Sequence, residues 1–147
     1  MAATGHGLAL GAIMLLAGDV RVGPNASGSK ARFGLNEVAI GMTLPMIGLE
    51  LARQRMPPAE FTKCVTQAKV CAPDDALHVG FLDLLANSSE PEAVVDLAIA
   101  EARRIGGYVK QPAFAKMKLM ERDLAIQRVR PSMEDLERMV EGAKAAM

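Results

Sequence analysis

The sequence predicts an α/β chain, with short strands and helices over residues 1–86 and a purely helical region over 87–147. Three observations carry that expectation. Asp19-Val20-Arg21-Val22-Gly23 alternates polar and apolar, the two-residue period of a strand. Phe61, Cys64, Val65 and Ala68 fall at helical spacing and make one apolar face. Beyond residue 86, capping and stop signals delimit only helices.

The elements follow in order. The chain is expected to open at the end of a strand. Gly11 to Gly18 then reads as a short helix, apolar all round and therefore buried. The strand at Asp19–Gly23 leads into a loop, Pro24-Asn25-Ala26-Ser27-Gly28-Ser29, rich in turn residues. Phe33 to Ile40 is extended or irregular. Leu44 to Met56 is a helix with Pro45 tolerated in its first turn. Pro57-Pro58 ends that helix and opens another.

If that helix continues, Cys64 and Cys71, seven apart, stack on one face. Asp74 to Val79 is a short helix closed by Gly80, and Phe81 to Leu85 a short strand. Ser89-Glu90-Pro91-Glu92 reads as a capping box. Its helix is expected to stop at Gly106-Gly107. Another helix fills Pro112 to Arg128 and is broken at Pro131. A last helix is capped by Ser132, with a stripe of Met133, Leu136, Val140, Ala143 and Met147.

Composition narrows the function classes. Seventeen basic and seventeen acidic residues give a formal net charge of zero, with no concentrated basic face for nucleic acid. The longest apolar run, Leu8 to Ala17, is too short to span a bilayer, and no Lys or Arg precedes it as in a signal peptide. A cytoplasmic protein is expected. Two cysteines without a CxxC pair read as buried or idle thiols. His6 and His78 have no Cys, His or carboxylate at ligand spacing, so no metal site is expected.

Two segments can carry chemistry. Gly5-His6-Gly7-Leu8-Ala9-Leu10-Gly11 is a glycine-rich turn into a helix, whose first N–H groups point outward and can bind an anion or an oxyanion. The spacing is not that of a dinucleotide fingerprint, so a purely structural turn is the other reading. Arg32-Phe33-Gly34-Leu35-Asn36-Glu37-Val38-Ala39-Ile40-Gly41 places one carboxylate among apolar residues. A desolvated carboxylate has a raised pKa and suits acid/base work near neutral pH. An exposed loop Glu is the alternative.

Together these segments resemble the enoyl-CoA hydratase/isomerase (crotonase) superfamily. Gly5 through Arg21 is similar to the family's small-residue turn, buried helix and following strand. Ala31 to Gly41 is similar to its Phe-Gly-x-Pro-Glu segment with a trailing Gly. Ala72 to Asp83 is similar to its Ala-x-x-Ala-x-x-x-Gly-x-x-Asp pattern, with Pro73 starting the short helix. The resemblance covers essentially the whole chain, as the C-terminal half of the domain.

The resemblance implies a partial crotonase-like ββα spiral followed by C-terminal helices that build homotrimers or hexamers. It implies an acyl-CoA thioester substrate of fatty acid metabolism, with coenzyme A as part of the substrate and no separate cofactor. The thioester carbonyl would be polarised in an oxyanion hole, one donor being the Leu10 N–H at the helix opened by Gly11. Glu37 would be the catalytic acid/base. The family's other Glu falls on Ile13, Asn36 replaces the common Pro, and Leu44-Pro45 stands where Pro-Gly is usual. In the family the N-terminal half supplies the other oxyanion donor and much of the CoA contact, so this chain is expected to be incomplete as an isolated enzyme. The alternative is a non-catalytic remnant that oligomerises through its helices.

Overall fold

A computed structural model describes the backbone of residues 1–145 and the side chains of residues 1–131. The chain forms two compact units, Met1–Gly107 and Tyr108–Met147.

In the first unit, strands are short and pair in parallel. Strand β1 (Gly7–Leu8) pairs with β3 (Phe33–Gly34), and β2 (Val22–Gly23) pairs with β4 (Leu84–Leu85). Ala2 bridges Val22 in parallel, so the opening residues do add an extended segment beside β2. Helix α1 (Leu10–Leu16) lies between β1 and β2. A 3-10 turn (Val38–Ile40) follows β3. Helices α2 (Met46–Arg55), α3 (Pro58–Val65) and α4 (Pro73–Val79) precede β4, and α5 (Pro91–Val109) follows it.

The main core gathers α1, β3, α2, α3 and α4 around Phe33, Leu16, Leu35, Phe81 and Leu82, all essentially buried. A smaller core packs α5 through Val94 against Val22 and Ala86. Buried apolar area of this kind stabilises by about 25 cal/mol per Å².

Several expectations need correction. Helix α1 is not buried all round: Ala12, Ile13, Leu15 and Leu16 face the core, while Leu10 and Met14 face solvent. Ladder pairing reaches only Val22–Gly23 and Leu84–Leu85 of the two longer predicted strands. Helix α3 ends at Val65, so Cys71 is not on its face. It sits instead in an antiparallel bridge with Phe33, exchanging two backbone hydrogen bonds of 2.8 and 3.0 Å. Both thiols are buried and free. They hydrogen-bond each other, which lowers the Cys64 pKa and raises that of Cys71.

Helix α5 opens at Pro91, and it is Ser88 Oγ, not Ser89, that accepts a backbone N–H, from Glu90. It also runs through Gly106-Gly107 to Val109. Two helical glycines cost about 1 kcal/mol each relative to Ala, which is not enough to force an end there.

In the second unit, α6 (Pro112–Ala145) is one helix with Pro131 inside it. Pro removes one backbone bond and costs about 3 kcal/mol, but the helix continues, so Ser132 does not start a new one. Met117, Leu119, Met120 and Leu124 on α6 are exposed. The expected stripe of Met133, Leu136, Val140, Ala143 and Met147 lies outside the residues whose side chains are described. Among the described residues, no helix is long and apolar enough to cross a membrane.

An ion pair between buried Arg21 and the more exposed Asp83 joins the starts of the two strands of the second sheet. Arg21 gives Nε and Nη2 to the two Asp83 oxygens at 2.8 and 2.6 Å, and Nη1 to the Gly80 carbonyl at 2.6 Å. Its backbone N–H also donates to Asp83 at 2.7 Å. Gly80 has φ +96, and a Cβ there would stand 2.3 Å from the Arg55 carbonyl oxygen, so only Gly fits.

Burial pushes the Asp83 carboxyl up, but the Arg21 hydrogen bonds and charge outweigh it and hold the pKa below the ordinary carboxylate range. A depressed folded-state pKa gives stability that is complete above the unfolded value and lost as pH falls through the folded one. Asp83→Asn should therefore lower stability at pH 7 by about 1–2 kcal/mol, less than breaking a fully buried pair, because the carboxylate is 35% exposed and partly screened by solvent. Urea melts at pH 7 and between pH 5 and 3 check this. The wild type should lose its advantage as the pH drops, and a constant difference across that range would refute the assignment.

Candidate functional site

Strands β1 and β3 run side by side in register Gly7 with Phe33 and Leu8 with Gly34. The approach is close: a Cβ on Gly7 would lie 2.9 Å from Phe33 Cδ1. Because the pair is parallel, both strands leave at the same end. Beyond that end β1 turns into α1, and β3 turns into the segment that carries Glu37. Sites in α/β sheets gather at such carboxyl ends.

The last ladder bond is Ala9 N–H to the Gly34 carbonyl, 3.0 Å. Ala9 then takes φ 47 and ψ −121, a conformation that non-glycine residues rarely adopt. Helix α1 starts at the next residue. Ile13 N–H is the first to bond back, to the Ala9 carbonyl at 3.1 Å. The earlier amides, those of Leu10, Gly11 and Ala12, have no intrahelical acceptor, and no side chain caps them. Leu10 is 66% exposed, and a Cβ on Gly11 would meet nothing within 4 Å. So Gly11 is not required by packing.

Three residues past Gly34 lies Glu37, only 6% exposed. Its buried oxygen Oε2 has no hydrogen-bond partner in the protein, and neither does the buried Oδ1 of Asn36 beside it. The backbone here is fixed. The Glu37 carbonyl accepts from Ile40 at 3.0 Å and from Met42 at 2.9 Å, and Gly41 closes the turn with φ 75. The carboxylate is thus withdrawn from solvent on a fixed turn, with one oxygen unmatched inside the protein.

Ile13 is 6% exposed and packs on α2, where a Cβ on Gly48 would lie 2.9 Å from its Cδ1. It does the work of core packing and offers no proton. Met14, Val38, Ile40, Met42 and Met46 are all exposed apolar side chains of α1, the 3-10 turn, the loop after it and α2.

His6 is occupied in a different way: its Nδ1 accepts the Arg32 N–H at 3.1 Å, bracing the turn before β1 against β3. Among the described residues, no group of three or more His, Cys, Asp or Glu could hold a metal.

The structure therefore brings the two segments singled out in the sequence to one end of one strand pair. Sequence reasoning missed the strained Ala9, the partnerless Asn36 and the Arg21–Asp83 fork. A signal existed for the last two. Asn36-Glu37 is a polar pair inside an apolar stretch, and Arg21 sits in a strand where only a paired cation can be buried.

No protein-family model matches the chain, and no curated protein does. Solved structures do. An enoyl-CoA hydratase from Mycobacterium marinum is 33% identical, with a TM-score of 0.78 over 92% of this chain and 56% of its own. An enoyl-CoA isomerase of Mycobacterium tuberculosis is 35% identical, with a TM-score of 0.78 over the same shares. An enoyl-CoA hydratase/isomerase family protein from Pseudomonas syringae is 34% identical, with a TM-score of 0.76 over 89% of this chain and 54% of its own. The present chain spans a little over half the length of these structures and corresponds to their C-terminal part. The crotonase-like fold class expected from the motifs holds, with a helix-rich composition.

The φ of Ala9 generates a direct expectation. Glycine adopts this backbone without the steric cost that a Cβ brings. Ala9→Gly should stabilise the chain by roughly 1 kcal/mol, even though it removes a side chain. Chemical denaturation measures it, and a clear loss of stability would show that the residue is not strained.

Proposed function

We propose that this chain, whose fold is that of the C-terminal part of the enoyl-CoA hydratase/isomerase (crotonase) family, works in an acyl-CoA enzyme with Glu37 as its single acid/base. The observation that carries the reading is the buried Glu37 carboxylate with a partnerless oxygen. It is held at the same strand ends as the uncapped amides of Leu10 and Gly11.

In this reading the Leu10 N–H donates to the thioester carbonyl of the acyl-CoA. Negative charge that builds on that oxygen is stabilised there, and a preorganised donor acts most strongly where charge develops. The adjacent carbons become acidic, and Glu37 moves protons at them. Because the donor is a backbone amide, the leucine side chain does not remove it. A two-turn helix has little macrodipole to add, so the amide itself is the active element. The second donor and most of the CoA contact would come from the region of the neighbouring structures that has no counterpart in these residues. The exposed apolar side chains Met14, Val38, Ile40 and Met42 suit that covering surface and the acyl chain.

Coenzyme A enters as part of the substrate, so no separate cofactor is called for. The exposed apolar residues Met117, Leu119, Met120 and Leu124 of α6 suit association into a homotrimer or hexamer. A role in fatty acid metabolism in the cytoplasm fits this chemistry. One observation favours the alternative of a non-catalytic, oligomerising remnant: Ile13, at the position of the family's other Glu, is part of the core.

Turnover of short and medium enoyl-CoA thioesters, scored for both hydration and double-bond migration, separates the two. The 147-residue chain should turn over weakly, since one lost oxyanion donor costs on the order of a hundredfold. Glu37→Gln should remove at least about 100-fold of what remains. Unchanged activity in that variant takes Glu37 out of the mechanism. No turnover by a folded wild-type sample favours the remnant.

A further inference from the structure

The chain holds two cysteines in all, and the fold sets them against each other in the main core. Cys64 lies in the last turn of α3, and Cys71 belongs to the segment bridged to Phe33. The chain turns back between them, with the Lys69 N–H donating to the Lys63 carbonyl at 3.0 Å. Both side chains are fully buried, both are free thiols, and they hydrogen-bond each other. Lys69 ties this turn to both flanking helices, its Nζ 3.1 Å from Glu60 of α3 and 3.9 Å from Asp75 of α4.

Packing does not call for a touching pair. A buried cysteine serves a core as a small apolar side chain, and its reactivity is what sets it apart from other such residues. Two thiols in hydrogen-bond contact need a short approach to become a disulfide, whose sulfurs stand about 2.05 Å apart. The hydrogen bond from Cys71 holds the Cys64 thiol below its usual range against the opposing effect of burial, and the Lys69 ammonium acts in the same direction. The same contact pushes Cys71 up. Cys64 is therefore the nucleophile of the pair, since the thiolate is the reactive form. The cover over the sulfurs is thin. Thr62, Lys63, Thr66, Gln67 and Val70 of the same segment are exposed, and Ala68 is held at φ 51, a conformation that alanine rarely adopts. A segment with few buried side chains and a strained residue opens locally at small cost, which admits a small reagent.

We propose that Cys64 and Cys71 form a reversible oxidation site, in which a small peroxide converts the pair to an intramolecular disulfide and a low-molecular-weight thiol restores it. The Cys64 thiolate attacks one peroxide oxygen, the O–O bond breaks, and Cys64 becomes a sulfenic acid. The hydroxide that leaves takes up the proton that Cys64 had lost. The Cys71 sulfur then attacks the Cys64 sulfur, the S–O bond breaks, and the second hydroxide leaves with the Cys71 proton as water. Two thiols and one hydrogen peroxide give one disulfide and two waters. The new bond ties the end of α3 to the residue whose backbone pairs with Phe33, and so to the β1–β3 pair. In a reducing compartment such a disulfide is transient. Nothing in this chemistry depends on acyl-CoA binding.

Peptide mapping of the 147-residue chain tests this. The folded protein is treated with hydrogen peroxide at neutral pH, its remaining thiols are blocked in denaturant, and it is cut with trypsin. Cleavage after Lys63, Lys69 and Arg103 places the two cysteines in separate peptides, 64–69 and 70–103. These two should be recovered joined, and dithiothreitol should part them. Methionine oxidation does not join peptides, so it leaves this readout untouched. Cys71→Ser should leave Cys64 as a sulfenic acid that dimedone captures, while Cys64→Ser should leave Cys71 without dimedone. Both cysteines recovered as blocked thiols after peroxide, or a disulfide found only between separate chains, overturns the site. Capture of Cys71 in the Cys64→Ser protein, with none of Cys64 in the other variant, overturns the assignment of the nucleophile.

Discussion

Arg21 uses its guanidinium and its backbone at once. Its side chain takes both Asp83 oxygens and the Gly80 carbonyl, and its own carbonyl accepts the Asp83 and Leu84 amides at 2.8 and 3.2 Å. Two chain segments 62 residues apart are thereby locked side by side. A guanidinium that is 4% exposed is tolerable only with such full pairing. The fork fixes where β2 meets β4, and with it the platform on which Val94 of α5 packs. It also explains the tight spot at Gly80. The chain must turn there with positive φ, against the Arg55 backbone, to deliver both a carbonyl and a carboxylate to one cation.

A second constraint positions the chemistry. The parallel β1–β3 pair is only two residues long, yet it fixes the relation between the α1 start and the Glu37 turn, because both chains leave it at the same end. Phe33 anchors this pair from below. It is fully buried, it bridges Cys71, and it presses on Gly7 closely enough to exclude a side chain there. Packing alone thus fixes a carboxylate and a set of uncapped amides at the same strand ends, the kind of rigid placement that the proposed chemistry would use. The cost is visible in the backbone of Ala9 and in the unmatched oxygens of Asn36 and Glu37. Strain and unpaired polar atoms recur at functional sites, although Ala68 (φ 51) and Arg55 Nε show the same features away from this strand end.

Ile13 is a packing residue. Its side chain fills the contact between α1 and Gly48 of α2. A carboxylate there would have to be buried in that contact, which is expensive without a partner. The chain has kept the helix packing and placed its polar atoms one strand away, on the Asn36-Glu37 turn.

The sequence by itself determined where most helices of the first unit start and that one lone carboxylate sits in an apolar stretch of chain. Periodicity and capping are local properties; they placed α1 to α4, but not the exposed face of α1 or the end of α3 at Val65, beyond which Ala68 turns with φ 51. Local reading failed at Gly106-Gly107 and Pro131, because a helix breaker is a cost of 1 to about 3 kcal/mol, and cooperative propagation of the helix on both sides can outweigh it. It failed again at Cys71, because a bridge to Phe33 lies 38 positions away in the chain. Tertiary structure alone decided that Glu37 and the Leu10 amide share one strand end, that Asn36 is left without a donor, and that Arg21 and Asp83 find each other. Each of these depends on which distant backbone lies alongside, and hydrogen-bond partners across a sheet leave no periodic trace in either partner's own sequence.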